Sequence, residues 1–396
     1  MKVEGIIPRT AGPAILIALA LSLCTACDSP TGPGNGLQKP LQTGDGWETA
    51  SLESVGMEAG PLRNLLDQIN GTHHHMIHSL LIVKDQMLVF ETYWPGTDLL
   101  PESLTPIQRD FDRETLHYVA SVSKSLTSAL AGIALELGFI EGVDELVFRY
   151  FPEHQDLKTE ENRHVTLRHM LSFSSGYDWN EFVYGFDNSR DSHYQMFTSE
   201  DPVRYLLARP VVTSPGAEFH YNSGDTNLVG EIVRRESSSA TLIDFAREHL
   251  FGPLGIDTVQ WRRFGLAPEV TFASGGASLR PRDMAKLGAL YLNGGVWNGV
   301  RILSPEWVDE SVEMAVPLGP NYQTEYGYGY NWWLGRLQFR GEPVEYFRAA
   351  GWGGQDVFVI PDLEMVIVFT AGGYYESRPL GVTDMIEDYI LRAVVR

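Results

Sequence analysis

Ser121 and Lys124 stand three apart in the stretch YVASVSKSLTSALAGIALELGFI, Tyr118 to Ile140. In a helix that spacing sets both side chains on one face, with about 5–6 Å between Cβ atoms, so a hydroxyl stands beside an amine. A serine hydroxyl attacks a carbonyl only when a base takes its proton. Lysine becomes such a base when burial and its neighbours bring its pKa from about 10.4 toward ~7–8. Ser121 at the helix start also meets free backbone N–H groups and the positive end of the helix dipole, which suit a developing oxyanion. The same residues read equally as a serine cap followed by a lysine that snorkels to water.

Two further stretches carry chemistry. In FHYNSGDTNLVGEIV, Tyr221 and Ser223 occupy a turn before a helix. A phenol near an amine can share its proton in general acid/base transfer; plain packing is the alternative. FRAAGWGGQDVFVIPDLEMVIVF reads as two strands about a Gly-rich turn, with Pro361 ending the second. Ala349, Ala350 and Gly351 are small enough for a substrate to lie along the strand, whose N–H groups can serve an oxyanion. An ordinary hairpin is the alternative there. His73, His74, His75 and His78 suggest metal binding, but they lack a helical carboxylate spacing and precede a strand, so a solvated turn is expected and no metal. His117 and His220 border the motifs and either shape a pocket or pack. Tyr177, Trp179 and Tyr184, in an aromatic loop, line a pocket or form a satellite cluster. No G-x-S-x-G occurs, which disfavours a Ser-His-Asp hydrolase.

The elements around these stretches are legible by period. Leu126, Leu130, Ile133 and Leu137 recur at helical spacing after Ser121, so one face of that helix is built for burial. A short helix is expected over Pro61 to Ile69, a hairpin over His78 to Trp94, and a loop over Pro95 to Thr115. VTLRHMLSF, DPVRYLLA, TNLVGEIVRR, ATLIDFAREHL and RDMAKLGALYLNGG read as helices. Strands return in YGYGYNWWL, VEYFRAAGW, DVFVI and EMVIVFTAG, and a last helix spans about Val382 to Val395. The fold class expected is α/β (α+β): an antiparallel sheet formed from both chain ends with flanking helices, plus an inserted mostly helical domain. Residues 47–118 and 285–396 would form the α/β domain and 119–284 the helical one.

The first 46 residues read as an export signal and a tether. Lys2 and Arg9 precede an apolar run, Ala14 to Leu23, about half the length that spans a bilayer. Ala26-Cys27 follows, at the end of a segment 1–27 that resembles a lipoprotein-type signal peptide, which implies lipidation at Cys27. Residues 28–46 are rich in Pro, Gly, Ser and Thr. Cys24 and Cys27 are the only cysteines, so thiolate catalysis and cysteine-ligated metals are excluded downstream. The 396 residues carry a net charge of −21, which opposes binding to nucleic acid or anionic membrane surfaces. Membrane association is expected only through the lipid anchor, in the periplasm or on the outer surface.

Together and in this order, the three stretches resemble the serine β-lactamases and penicillin-binding proteins. The nearer likeness is to the class C β-lactamase-like branch with its esterases and 6-aminohexanoate-oligomer hydrolases, over roughly His78 to Arg396. The S-x-x-K motif is Ser121 to Lys124, the Y-x-S motif Tyr221 to Ser223, and the strand motif Ala349 to Gly351. The resemblance implies the β-lactamase/transpeptidase-like fold and an acyl-enzyme on Ser121 with Lys124 as base. It implies Tyr221 as proton relay, Ser223 as a hydrogen-bonding partner of substrate or Lys124, and no cofactor. The oxyanion hole would be the N–H groups of Ser121 and Trp352, or of Gln355 if the motif is Trp352 to Gly354. Relatives that take β-lactams or peptide C-termini place Lys or His where Ala349 stands. Arg348, its neighbour, points to the opposite face of a strand. The function expected is therefore hydrolysis of small esters or amides. A β-lactamase, a D-alanyl peptide hydrolase and a catalytically silent cell-envelope binding module are the alternatives.

Overall fold

The computed structural model describes residues 37–100, 105–181, 183, 188–320, 322, 324–375 and 379–395. Helix α1 (Ala59–Gly71) buries the stripe Leu62, Leu65, Leu66 and Ile69. Strands β1 (Ile77–Lys84) and β2 (Met87–Tyr93) follow as an antiparallel pair. Their turn residues Asp85 and Gln86 both have positive φ, 52° and 63°, the twist a two-residue hairpin needs. Strands β3 (Gly96–Leu100) and β4 (Thr105–Arg109) form a second hairpin where the sequence read as a loop. Of these two strands only Asp98 and Leu99 are buried, so no apolar alternation marks them. Strand β5 (His117–Tyr118) leads into α2 (Val122–Glu136).

Helices α3 (Leu167–Leu171), α4 (Ser192–Phe197), α5 (Pro202–Leu207), α6 (Ser223–Glu236) and α7 (Leu242–Ala246) fill the middle of the chain. Short strands β6 (Gln260–Trp261) and β7 (Ala277–Leu279) come next, then α8 (Pro281–Leu292). The small hairpin of β8 (Val296–Trp297) and β9 (Val300–Arg301) precedes α9 (Pro305–Val312). The chain closes with β10 (Val316–Pro317), β11 (Glu325–Tyr328), β12 (Trp333–Phe339), β13 (Glu342–Gly351), β14 (Gln355–Ile360) and β15 (Met365–Ala371). Helix α10 (Val382–Met385) then runs through a π turn (Ile386–Ile390) into α11 (Leu391–Ala393).

One antiparallel sheet of eight strands runs in the order β10-β11-β12-β13-β14-β15-β1-β2, so the two ends of the chain meet where β1 pairs with β15. Period-2 alternation divides its side chains. Ala349, Val357, Val359, Val366 and Val368 join the core that contains α2 and α8. Phe358, Ile360, Met365, Ile367 and Phe369 join the core of α1 and the C-terminal helices. The central strands are covered on both faces, which explains why DVFVI and EMVIVFTAG are unbroken apolar runs. Helix α2 departs from the one-faced expectation: every residue from Val122 to Ala134 is buried. A helix enclosed all round has to satisfy its polar groups internally. Ser123, Ser125 and Thr127 donate to the carbonyls of Ala120, Asn331 and Ala273 at 2.6, 2.7 and 3.0 Å.

Two expected boundaries change. Helix α8 starts at Pro281 and packs on β14 and β15, so a break at residue 285 falls inside it. The tether read over 28–46 is anchored before its end. Buried Arg282 donates to Leu41 O, Thr43 Oγ1 and Asp45 Oδ2, all at 2.9 Å, and to both oxygens of Glu91, whose side chain is 6% exposed, at 2.7 and 2.8 Å. A guanidinium fork meeting a carboxylate in a desolvated place is costly to break from one side, because the other charge stays buried. Arg282→Met is expected to lower stability by about 3–5 kcal/mol. A urea midpoint unchanged at equal m-value would show that Glu91 finds compensation elsewhere.

Candidate active site

Chain geometry just before α2 is set by Ala120, a non-glycine residue at φ 45°. Such a backbone is strained for an L-residue and persists where packing over-determines it. Ala120 is buried with Leu99, Tyr118 and Tyr374, against Trp352. Ser121 follows at the N-cap, but its side chain makes no cap hydrogen bond. Instead Oγ accepts from Lys124 Nζ and from Tyr221 OH, both at 2.9 Å. The cap-and-snorkel arrangement is not adopted: Lys124 is 2% exposed, and its second contact is to Ser274 O at 2.7 Å.

Burial shapes the acid/base character of both partners. Loss of water brings Lys124 down to about 8, against the opposing pull of the Glu181 charge. At pH 7 about a tenth of such a group is neutral and holds a lone pair that can take a proton. Burial raises Tyr221 well above the ordinary phenol range, and the Glu181 charge adds to this, while its bond to Ser121 acts the other way. Tyr221 is therefore a neutral phenol, a donor to Ser121 in the resting site. The ammonium position lies 4.9 Å from the Tyr221 ring centre.

The end of β13 closes the other side. A Cβ added at Gly351 would lie 2.4 Å from Val119 O and 3.2 Å from Ser121 N, so only glycine lets the strand pass the nucleophile's backbone this closely. Trp352 is the next residue, in the turn; Gln355 opens β14 opposite Gly351. The Gln355 side chain is buried, with its amide donating to Ala371 O at 2.6 Å and accepting from Ala371 N at 3.2 Å. Ala349 is buried toward α2. Arg348 faces the other way, paired with Glu325 at 2.6 Å and Asp356 at 3.0 Å.

Ser223, expected to bond substrate or Lys124, bonds Glu181 in this structure. Its hydroxyl donates to Glu181 Oε1 at 2.7 Å and its N–H to Glu181 Oε2 at 3.0 Å, with Trp179 Nε1 also on Oε2 at 2.7 Å. Ser223 is the first residue of α6, where free N–H groups attract a carboxylate more strongly than an amine. Tyr177 and Trp179 both lie in the main core, where Trp179 also bonds Glu181. His220 bonds to Trp179 O, and His117 to His78 at 2.8 Å beneath the site. His73 and His74 are exposed, and His75 accepts from Ile77 N at 3.0 Å. Among the described residues no cluster of His, Cys, Asp or Glu is placed to hold a metal ion. Tyr184 and Cys27 lie outside the described residues.

Glu181, Ser274, Ala120 and His193 escaped the sequence reading. Glu181 sits in the same aromatic loop as Tyr177 and Trp179 as an unremarked acid, and Ser274 acts through its carbonyl, which no side-chain pattern reveals. The charges of both Glu181 and Lys124 reach His193, half-buried on α4.

The family model described as Beta-lactamase matches residues 62–386. The chain is similar to a 6-aminohexanoate-dimer hydrolase from Paenarthrobacter ureafaciens, 26% identical over 298 residues, 69% of each chain. A family VIII carboxylesterase superposes with a TM-score of 0.64 at 16% identity, covering 83% of this chain and 96% of that one. Simvastatin synthase from Aspergillus terreus does so with a TM-score of 0.61 at 17% identity, over 84% and 98%. At these identities the superpositions establish the fold, an antiparallel sheet with flanking helices. With the family matched over most of its length, the chain belongs to the Beta-lactamase family, as one of its serine hydrolases.

Proposed function

We propose that this chain hydrolyses small neutral esters or amides through an acyl-enzyme on Ser121, as an exported protein anchored to the cell envelope through Cys27. The observation that carries the reading is the shared 2.9 Å approach of Lys124 Nζ and Tyr221 OH to Ser121 Oγ. A nucleophile with two proton-handling groups on one oxygen has no packing rationale. Neutral Lys124 takes the Ser121 proton as Oγ bonds to the carbonyl carbon. The carbonyl oxygen gains the electron pair and is met by the N–H groups of Ser121 and Trp352, chosen over Gln355 because Trp352 directly follows the Gly351 contact. Tyr221 gives its proton to the departing alkoxide or amine and is resupplied from Lys124. Water then enters, the two groups accept its proton, and collapse of the second tetrahedral adduct returns a proton to Oγ. An alcohol in the place of water would give acyl transfer.

Small neutral substrates are supported by the charges nearby. Arg348 is neutralised by two carboxylates, and the carboxylate close to the site, Glu181, would repel an acidic substrate. On the Tyr221 side, Trp333 stacks on Tyr221 at 6.0 Å, with Phe219 and exposed Tyr322 beside it, an apolar surface fit for a hydrocarbon or aromatic group. Export is supported by the leader's charge and apolar run; among the described residues no helix is long and apolar enough to cross a membrane.

A fluorophosphonate is expected to label the Ser121 peptide, read by mass spectrometry. Ser121→Ala would lose label and turnover while keeping its melting temperature. Tyr221→Phe is expected to slow turnover by roughly 10²–10⁴-fold. Label on another serine, or full activity in Ser121→Ala, would sink the acyl-enzyme.

The pH profile has a defined sign. The working base is neutral Lys124, so kcat/KM on an uncharged ester climbs with pH and levels above about 8. The Glu181 charge holds the amine's pKa up, so Glu181→Gln is expected to move the rising limb to lower pH. A flat profile, or a limb displaced to higher pH in that variant, contradicts the assignment.

For substrate, p-nitrophenyl acetate and butyrate are expected to exceed nitrocefin and a D-Ala-D-Ala peptide in kcat/KM. Nitrocefin ahead by tenfold would mean that a cation reaches the site from elsewhere.

A further inference from the structure

The turn after β13 has little to hold it locally. It runs Gly351-Trp352-Gly353-Gly354, closed by Gly354 N–H on Gly351 O at 3.1 Å, with Gly353 and Gly354 at φ 89° and 95°. Three glycines in four residues make this backbone pliable, and one hydrogen bond within the turn, on Gly351 O, restrains the Gly351–Trp352 peptide locally. An oxyanion donor works only when it is held in place before the charge develops.

The fixing groups come from distant parts of the chain. Gln355 Nε2 reaches Trp352 O at 3.3 Å while its amide is clamped on Ala371. Gly373 N donates to Gly353 O at 2.9 Å and so brings Tyr374 under the turn. The Tyr374 ring packs edge-on against Trp352, centroids 5.1 Å apart, and a Cβ on Gly353 would lie 2.4 Å from it. Tyr374 OH sits 3.5 Å from Gln355 Nε2 and donates to Asp98 Oδ1 at 3.1 Å. Asp98, 1% exposed on β3, also accepts from Leu99 N at 2.8 Å and Arg109 Nη1 at 3.1 Å. A buried carboxylate with these donors is a fixed point, and a charged acceptor makes the tyrosine bond one of the stronger kind. His117 Nε2 lies 3.9 Å from the same Asp98 oxygen, on the strand that leads to Ser121. One buried cluster thus braces both backbone segments that face the reacting carbonyl.

We infer that Asp98, Tyr374 and Gln355 are positioning residues for the Trp352 amide, so that the second oxyanion donor is oriented from a carboxylate on the β3–β4 hairpin. The inference rests on the reading of Trp352 as that donor. None of the three touches the reacting atoms. Tyr374 keeps its proton, because burial and the Asp98 charge raise it well above the ordinary phenol range, and it therefore donates throughout the working pH range.

Tyr374→Phe isolates the bond, since the ring that packs on Trp352 and Gly353 remains. With p-nitrophenyl butyrate, kcat is expected to fall about tenfold with KM within twofold. Affinity for an alkyl boronic acid, whose tetrahedral adduct on Ser121 fills the oxyanion position, is expected to fall by the same factor. Asp98→Asn follows the same direction, and the double variant is no slower than the worse single, because the chain acts as a unit. Gln355→Met, which keeps the volume and loses the amide, gives a third, independent reading if either of the others fails to fold. Unchanged kcat and boronate affinity in Tyr374→Phe, or in Gln355→Met where only that variant folds, overturns the inference, as does a double variant that loses the full product of both effects. Wild-type labelling separates the two levels. If fluorophosphonate misses Ser121, the acyl-enzyme reading is what fails. If it labels Ser121 while the variants stay fully active, only the positioning chain fails.

Discussion

Removing an amine from water costs free energy, and Lys124 is placed where that cost cannot be avoided: one turn into a helix that is buried on every side. Most features of the site answer to this constraint. The amine's remaining partners are a serine hydroxyl and a main-chain carbonyl, neither of which carries a charge to stabilise an ammonium. The Glu181 carboxylate acts from further off and checks the shift, so the amine titrates close to neutrality. A carboxylate in direct contact would have restored an ordinary ammonium and left Ser121 without a base. The occupation of Glu181 by Ser223 and Trp179 keeps it in place as a background charge.

Enclosure of α2 has a second consequence. Its start has to meet three other segments: the Tyr221 turn before α6, the Ser274 loop, and the end of β13. Two of these contacts use backbone, the Ser274 carbonyl and the Gly351 main chain, and the third brings the Tyr221 phenol onto Ser121. Gly351 against Ser121 and Ala120 at positive φ are two signs of crowding there. The sheet makes this possible by carrying β13 past the helix start while α8 and the C-terminal helices cover its two faces.

Several properties followed from the sequence alone, because each rests on local periodicity or on residue type. The long apolar helix after Ser121 shows a 3.6-residue pattern, the β1–β2 hairpin and the two late core strands show as short apolar runs, and strands at both ends of the chain pointed to one shared sheet. The family's motifs are short and lie in order, so Ser121, Lys124 and Tyr221 could be picked out before any geometry. The direction of Arg348 also followed from strand alternation.

Tertiary structure decided what no local pattern encodes. The β3–β4 hairpin is too exposed to show alternation, so only pairing reveals it. Ser223 turned to Glu181 because the start of α6 faces the aromatic loop, a contact 42 residues apart in the chain. Leu41, Thr43 and Asp45, read as tether, are held because Arg282, about 240 residues away, reaches them. The carbonyl of Ser274 and the Asp98–Tyr374–Gln355 cluster carry no signature, since backbone groups look alike in every residue and buried polar pairs are drawn from distant segments. Residue types and their spacing specify which chemistry is available; the desolvation that tunes an amine, and the long-range contacts that aim a backbone N–H, exist only once the chain has closed on itself.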